Sequence, residues 1–562
     1  LLSLAYLLLE CPMQRRFAAD VSFQATLLLL QERIPKRAAI ALRTAGRFDT
    51  RPAPDAAEMP MRVLADPDGT APEVQLLSNG RYHVMVTHAG GGYSRWKDLA
   101  VTRWREDATR DNWGGFCYVR DAASGEFWSS AHQPALKRAD AYEAIFSEAR
   151  AEFRRRDHGY DTHTEIVVSP EDDIELRRLR ITNRAKSRRT VEITSYAEVV
   201  LAPPAAEALH PAFSNLFVQT EIVAARRAIL CTRRPRSLGE RAPWMFHTLA
   251  VHGAGSDDST PVSYETDRAR FIGRGRGAAA PLAMTEVSLS GSQGSVLDPV
   301  VAIRQRITLE PEQTATVDMV SGVGESRDAA LHLAEKYQDR NLADRVFDLA
   351  RVHGLVTLRQ INATESDAQL YGRLAGAVLY ANASLRSEGA VLAKNRRGQS
   401  GLWGYGISGD LPIVLLRVAD ASSIDLVRQL VQAHAYWRLK GLAVDLMIWN
   451  EDHAGYRQVL QDQIMGLIAA GIEANVLDRP GGIFVRRADQ ISDEDRVLFQ
   501  SVARAVLSDT QGTLAEQINR QPIPPVKMAR LKPVRTGKGE ARAAAAAPRR
   551  DLLFFNGLGG FT

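Results

Sequence analysis

The sequence predicts a multidomain β-plus-α protein, a large antiparallel β-sandwich followed by an α-helical region, and three observations carry that prediction. Between residues 75 and 323, short β-branched or alternating runs such as 174–181 and 191–200 are separated by turn residues at roughly 8–12-residue spacing. After Ser326 the apolar period lengthens from two to three or four. The 562 residues are 45% hydrophobic and 24% charged, which gives ample core and suits roughly two to four globular domains. Net charge is +5 with much of the excess in one tail, so no nucleic-acid partner is implied. Cys11, Cys117 and Cys231 are too few and too scattered for a disulfide framework or a zinc site, and neither metal nor cofactor is expected.

In chain order, residues 36–74 read as an Ala-, Pro-, Asp- and Arg-rich linker with one short strand around Met61–Leu64. The rest of the chain is organised around residues 77–96. Ser78-Asn79-Gly80 is a turn, and Tyr82, Val84 and Val86 alternate with Arg81, His83, Met85 and Thr87 as in a strand with one buried face. Gly90-Gly91-Gly92 allows backbone conformations closed to other residues. Trp96, Trp104, Trp113 and Trp128 come soon after; such rings suit a sugar-handling domain, and an ordinary sandwich core explains them equally well. Asp172-Asp173, just past Pro170, reads as turn chemistry rather than a metal pair, and Glu192 and Glu198 as solvated positions on a strand face.

Asn79-Gly80-Arg81-Tyr82, Gly90-Gly91-Gly92-Tyr93-Ser94 and Arg103-Trp104-Arg105-Glu106-Asp107 resemble the N-terminal β-sandwich of glycosyltransferase family 36, now classed with the phosphorylases of glycoside hydrolase family 94. The likeness is greatest to the copy inside cyclic β-1,2-glucan synthases, very large bacterial membrane enzymes. The resemblance implies that residues 1–35 are the last helices of a preceding glucoamylase-like domain and that 75–323 form a carbohydrate-associated sandwich. It further implies that 324–508 form a helical domain resembling part of an α/α barrel, that 509–550 are a basic Pro- and Ala-rich linker, and that 551–562 open the next, phosphorylase-like module. On this view the chain is a fragment, the cytoplasmic-facing soluble part of an inner-membrane enzyme.

Within the helical region, 328–337, 345–353 and 368–383 carry apolar residues at spacings of three and four. Residues 392–412 then combine Lys394, Arg396 and Arg397 with five glycines and two rings, the best chemical candidate in the chain. Trp403 and Tyr405 can stack on a pyranose ring, and Asp410 either bonds sugar hydroxyls or caps a following helix. The glycine spacing fits neither a phosphate loop nor a dinucleotide fingerprint. Laid on the sugar-holding loop of active family-94 modules, Ser408, Gly409 and Ile413 stand where that loop has Arg, Asp and Asp, which implies lost catalysis. Helices are predicted at 423–440 and 455–474, the first with Leu426, Leu430, Ala433 and Trp437 on one stripe; 444–452 between them reads as a buried strand or extended run, 478–487 as a turn and short strand, and a capped helix starts near Ser492. Asp445, Glu451 and Asp452 are the remaining carboxylates to weigh for glycoside chemistry; a solvated loop or cap explains the last two better.

The function expected is therefore that of a middle segment of a glucan synthase, a sandwich plus helical region that binds or positions a β-glucan or oligosaccharide alongside other domains of the same polypeptide. No catalytic residue is assigned. A working phosphorylase and a purely architectural spacer are the alternatives.

Overall fold

The computed structural model describes residues 61–69, 71–235, 242–253, 261–452 and 459–520, together with Leu553. The expected helices of 1–35, the linker up to residue 60, the basic stretch 521–550 and, Leu553 apart, the expected start of a further module lie outside the described residues. Two compact units divide the chain, Leu1–Arg520 and Gln521–Thr562, and all the elements named here belong to the first.

Alternation in the sequence becomes two large antiparallel sheets. The first has nine strands, in spatial order Met61–Leu64, Ala141–Ser147, Arg150–Asp157, Tyr160–Val168, Ile174–Asn183, Thr314–Gly324, Trp244–Gly253, Ala228–Arg233 and Val218–Val223. The second runs Ser263–Asp267, Pro299–Leu309, Arg189–Ala202, Leu99–Thr102, Gly92–Trp96, Tyr82–Thr87 and Val74–Ser78, with Gly115–Asp121 and Phe127–Ser129 branching from Arg189–Ala202. Tyr82, Val84, Val86 and Trp96 of the second sheet share one core with Phe153, Ile166, Leu179 and Val317 of the first. The face-to-face packing of two such sheets buries one side of each strand, as the period of two requires. Asp172 and Asp173 do lie in a turn, where Asp173 accepts from the Trp96 indole at 2.7 Å and Asp172 from Lys336 at 2.6 Å.

Glu192 and Glu198 depart from the solvated positions expected of them. Both are buried. Glu192 pairs with Arg120 and Arg306, and Glu198 with Arg103 and Arg268. Arginines from elsewhere in the fold, Arg120 and Arg306 on neighbouring strands, Arg103 just past one and Arg268 on a short helix, supply the partners that a buried carboxylate needs, and a one-strand reading has no view of them.

Past the sandwich come the helices Arg327–Lys336, Arg340–Gln360 and Glu365–Leu379, each N-capped by a Ser, Asp or Thr side chain. The expected sandwich followed by a helical region stands, and inside that region the extended run expected at 444–452 and the short strand expected within 478–487 join two further strands in one sheet. Ile413–Val418, Asp445–Asn450, Ile483–Arg487 and Ala505–Ser508 form a parallel sheet, with Ile413–Val418 lying between Asp445–Asn450 and Ala505–Ser508 and Ile483–Arg487 at one edge. Helices cover both faces. Val414, Leu416, Leu446 and Ile448 pack with the helix Ile424–Leu439, whose stripe of Leu430, Ala433 and Trp437 is buried. Ile413, Leu415, Met447 and Trp449 pack with Leu498 and Phe499 of the helix Asp493–Val502. Helices thus flank a sheet here, where a barrel would pack helix on helix. Among the described residues no helix is long and apolar enough to cross a membrane.

Candidate functional site

The glycine-rich loop folds as a 3-10 turn, Gln399–Tyr405, whose Leu402 joins Ile407 in the core on one face of the parallel sheet. Trp403 stands 63% exposed. Its indole donates to the Ser408 carbonyl at 3.2 Å, and the Gln399 amide donates to the same carbonyl at 2.8 Å and to Asp410 Oδ1 at 3.0 Å. An open ring face and a carboxylate therefore share one surface patch. Tyr405 turns away from it, donating to Asp495 Oδ2 at 2.9 Å with its ring edge-on to Phe499 at 5.2 Å. Asp410 caps no helix, because the element after it is the strand Ile413–Val418.

The other carboxylates do not converge. Asp445 begins a buried strand, 0% exposed, and accepts from the Gly481 N–H at 2.7 Å; burial raises its pKa. Glu451 is ion-paired with Arg417 at 2.8 Å just beyond the other end of that strand. Six residues of extended chain separate the two by about 20 Å, well beyond the separation of about 5–10 Å that paired glycosidase carboxyls need. Open parallel sheets usually take ligands at the carboxyl ends of their strands where the order reverses. That position, between Val418 and Ser508, is filled by Asp509, whose Oδ2 accepts from the Ala419 and Asp420 N–H groups at 2.7 and 3.0 Å.

A second candidate lies on the sandwich, in a cleft of about 550 Å³ lined by residues including Asp68, His88, Asp111, Asn112, His132 and Gln133. Its floor depends on the glycine triplet. A Cβ on Gly91 would stand 2.1 Å from Asp111 Oδ1, so only glycine lets that carboxyl close on the strand. Thr87 donates to Asp111 Oδ2 and Tyr380 to Oδ1 at 3.4 Å, while Trp104 in turn donates to the Tyr380 hydroxyl at 3.3 Å. Burial lowers the pKa of both His88 and His132, which keeps the imidazoles neutral. Glu73 N–H donates to His88 Nδ1 at 3.1 Å, leaving Nε2 as the protonated nitrogen. Burial pushes the Asp111 carboxyl up to about 6, against the opposing hydrogen bonds from Thr87 and Tyr380.

Asp111 therefore has a stability consequence with a definite sign. Its folded pKa lies above the unfolded value, so its contribution is most favourable below about pH 4 and is lost as pH rises through about 6. Asp111→Asn keeps the shape and removes the charge. The variant is expected to match the wild type only below about pH 4 and to gain on it as pH rises, the gap growing by on the order of 1–2 kcal/mol between about pH 5 and about pH 7.5, as denaturant unfolding at the two pH values would report. A gap that does not grow with pH would refute the assignment.

Exposure settles what the clustered Trp residues do. Trp96 and Trp128 are buried, and Trp104 is wedged edge-on between Tyr93 and Tyr380, so these three serve the core and the joint to the helices. Only Trp403 of the singled-out rings presents a broad face to solvent. The cleft escapes a reading of the sequence because its walls come from positions between 67 and 279 that the fold alone assembles; the glycine triplet is the one local signal.

Two packed antiparallel sheets of nine strands each define a large β-sandwich class. Residues 57–340, half of the chain, match the family described as glycosyl hydrolase 94, supersandwich domain, and the chain belongs to that family. Over 556 residues, 97% of its length, the chain is 32% identical to cyclic beta-(1,2)-glucan synthase NdvB of Rhizobium meliloti (strain 1021). It is 26% identical over 52% of its length to the N,N'-diacetylchitobiose phosphorylase of Vibrio proteolyticus, and 23% identical over 47% to the solabiose phosphorylase of Paenibacillus borealis. The chain spans 20% of the length of NdvB and 35% and 34% of the two phosphorylases.

Proposed function

We propose that the chain is a middle segment of a cyclic β-1,2-glucan synthase that binds and positions the glucan without itself making or breaking a glycosidic bond. The observation that carries this is the reach of the likeness: it covers 97% of the chain for NdvB and about half for the phosphorylases. The scattered carboxylates Asp445 and Glu451 accord with a binding role, and Trp403 with Asp410 supplies a stacking face beside a hydroxyl acceptor. Within the larger polypeptide the segment works beside other domains, as part of the cytoplasmic-facing portion of an inner-membrane enzyme.

Calorimetric titration of the chain with linear β-1,2-gluco-oligosaccharides, followed by addition of phosphate and an assay for glucose 1-phosphate, tests this directly. Binding without product is the expected result. Product would make the chain a phosphorylase, and the absence of binding would reduce it to a spacer.

A further inference from the structure

The sandwich cleft has features that packing alone does not call for. At about 550 Å³ it falls within the size range of ligand pockets, about 300–1,000 Å³. Two of its side chains, Asn112 and Gln133, have amide oxygens that are buried and find no hydrogen-bond partner among the described residues. A buried, unpaired carbonyl is destabilising, so a fold that keeps two just beneath one cavity wall gains when a donor reaches them. Resting on the glucan-positioning reading above, we propose that this cleft is a saccharide-binding subsite for an uncharged, hydroxyl-rich ring.

The chemistry of the walls selects that class over the others. An apolar ligand would leave the buried Asn112 Oδ1 and Gln133 Oε1 as unpaired as they are without it. An anion would face Asp68, Asp107 and Asp111, opposed only by Arg110 at the rim and by imidazoles held neutral by burial. A lone metal ion would leave most of the volume unfilled. A sugar ring instead carries hydroxyls that both donate and accept: it can donate to the two orphan carbonyls as their side-chain amides turn toward the cleft, and accept from the His88 Nε2–H. The walls are also stiff. The Gly91 N–H donates to the Thr87 hydroxyl at 3.0 Å, Gly92 N–H to the Trp113 carbonyl at 2.7 Å, and Gln133 N–H to the Ala89 carbonyl at 2.8 Å. Little ordering is left to be done on binding. The cleft is distinct from the Trp403 patch, which is built on the helical region.

The test uses the whole 562-residue chain, titrated calorimetrically with linear β-1,2-gluco-oligosaccharides. Asn112→Ala removes one orphan acceptor and is expected to weaken binding about tenfold or more. Ala108→Trp, at an exposed cleft-lining position whose change leaves the core untouched, is expected to block the cleft and abolish binding at this subsite while the melting temperature stays near that of the wild type. Wild-type affinity in both variants would overturn the cleft assignment and leave the positioning reading intact. Failure of the wild-type chain to bind at all would overturn both. Loss of binding in Ala108→Trp with an unchanged melting temperature would support the subsite even if Asn112→Ala folded poorly.

Discussion

A Gly92→Ala variant is expected to lose more than about 4 kcal/mol of stability and to accumulate poorly as folded protein, a cost in the range reserved for hard structural conflicts. The added Cβ would lie 1.8 Å from the Met85 carbonyl oxygen and 2.8 Å from its carbon, with the backbone at φ +152°. Neither side can retreat cheaply. Gly92 is paired with Val86 across the strand ladder, and its N–H is committed to the Trp113 carbonyl at 2.7 Å. Moving either strand would also disturb Met85 and Tyr93, which belong to the core shared with the helices. Gly80→Ala is the control: it also has a positive φ, +87°, but no atom lies within 4 Å of its would-be Cβ. It should cost only the left-handed backbone penalty, about 1–2 kcal/mol. Equal losses in the two variants, measured by denaturant unfolding, would show that backbone conformation and not the close strand approach makes Gly92 indispensable.

That contrast also marks how far the sequence could be read. The Gly90-Gly91-Gly92 triplet announced a special backbone, and alternation around Tyr82 and along 174–181 announced strands, because both signals are local and repeat with the period of the element. The short strand at Met61–Leu64 and the Ser492 cap were legible for the same reason. The parallel sheet was legible only in part: the extended run at 444–452 and the short strand within 478–487 read as such. Ile413–Val418 did not, because it is buried on both faces and reads as a brief apolar run with no alternation to separate strand from helix, and the parallel pairing of the four strands has no local signal. Residues 392–412 were singled out by glycines and rings, yet much of that composition serves packing: Leu402 and Ile407 fill core and Tyr405 reaches inward to Asp495. Composition identifies an unusual loop without saying which side of it faces water. The cleft is the converse case, since Asp111, Asn112 and Gln133 look ordinary in sequence and acquire meaning only beside His88 and His132.

The joint between sandwich and helices gives the second large effect. Lys440, 4% exposed at the end of the helix Ile424–Leu439, donates to Glu148 Oε1 at 2.7 Å, and the Tyr436 hydroxyl donates to Oε2 at 3.0 Å. Glu148 sits between two edge-side strands of the first sheet, so this buried pair bridges elements 292 residues apart in the chain. Lys440→Met leaves the carboxylate buried with only Tyr436 as partner, and is expected to cost about 3–5 kcal/mol. The same substitution made in Glu148→Gln should cost much less, because an amide needs no countercharge and can still accept from Tyr436. The two losses should therefore fail to add by about 2 kcal/mol or more, which a double-mutant cycle on unfolding free energies would measure. Additive losses would mean that Lys440 acts through the packing of its stem alone. The attachment of the helices would then rest on the apolar contacts of Tyr371, Tyr436 and Trp437 with Val74, Leu76 and Met85 and on Arg62, whose guanidinium reaches Gln369, Glu73 and the Val74 carbonyl from the first strand of the sandwich.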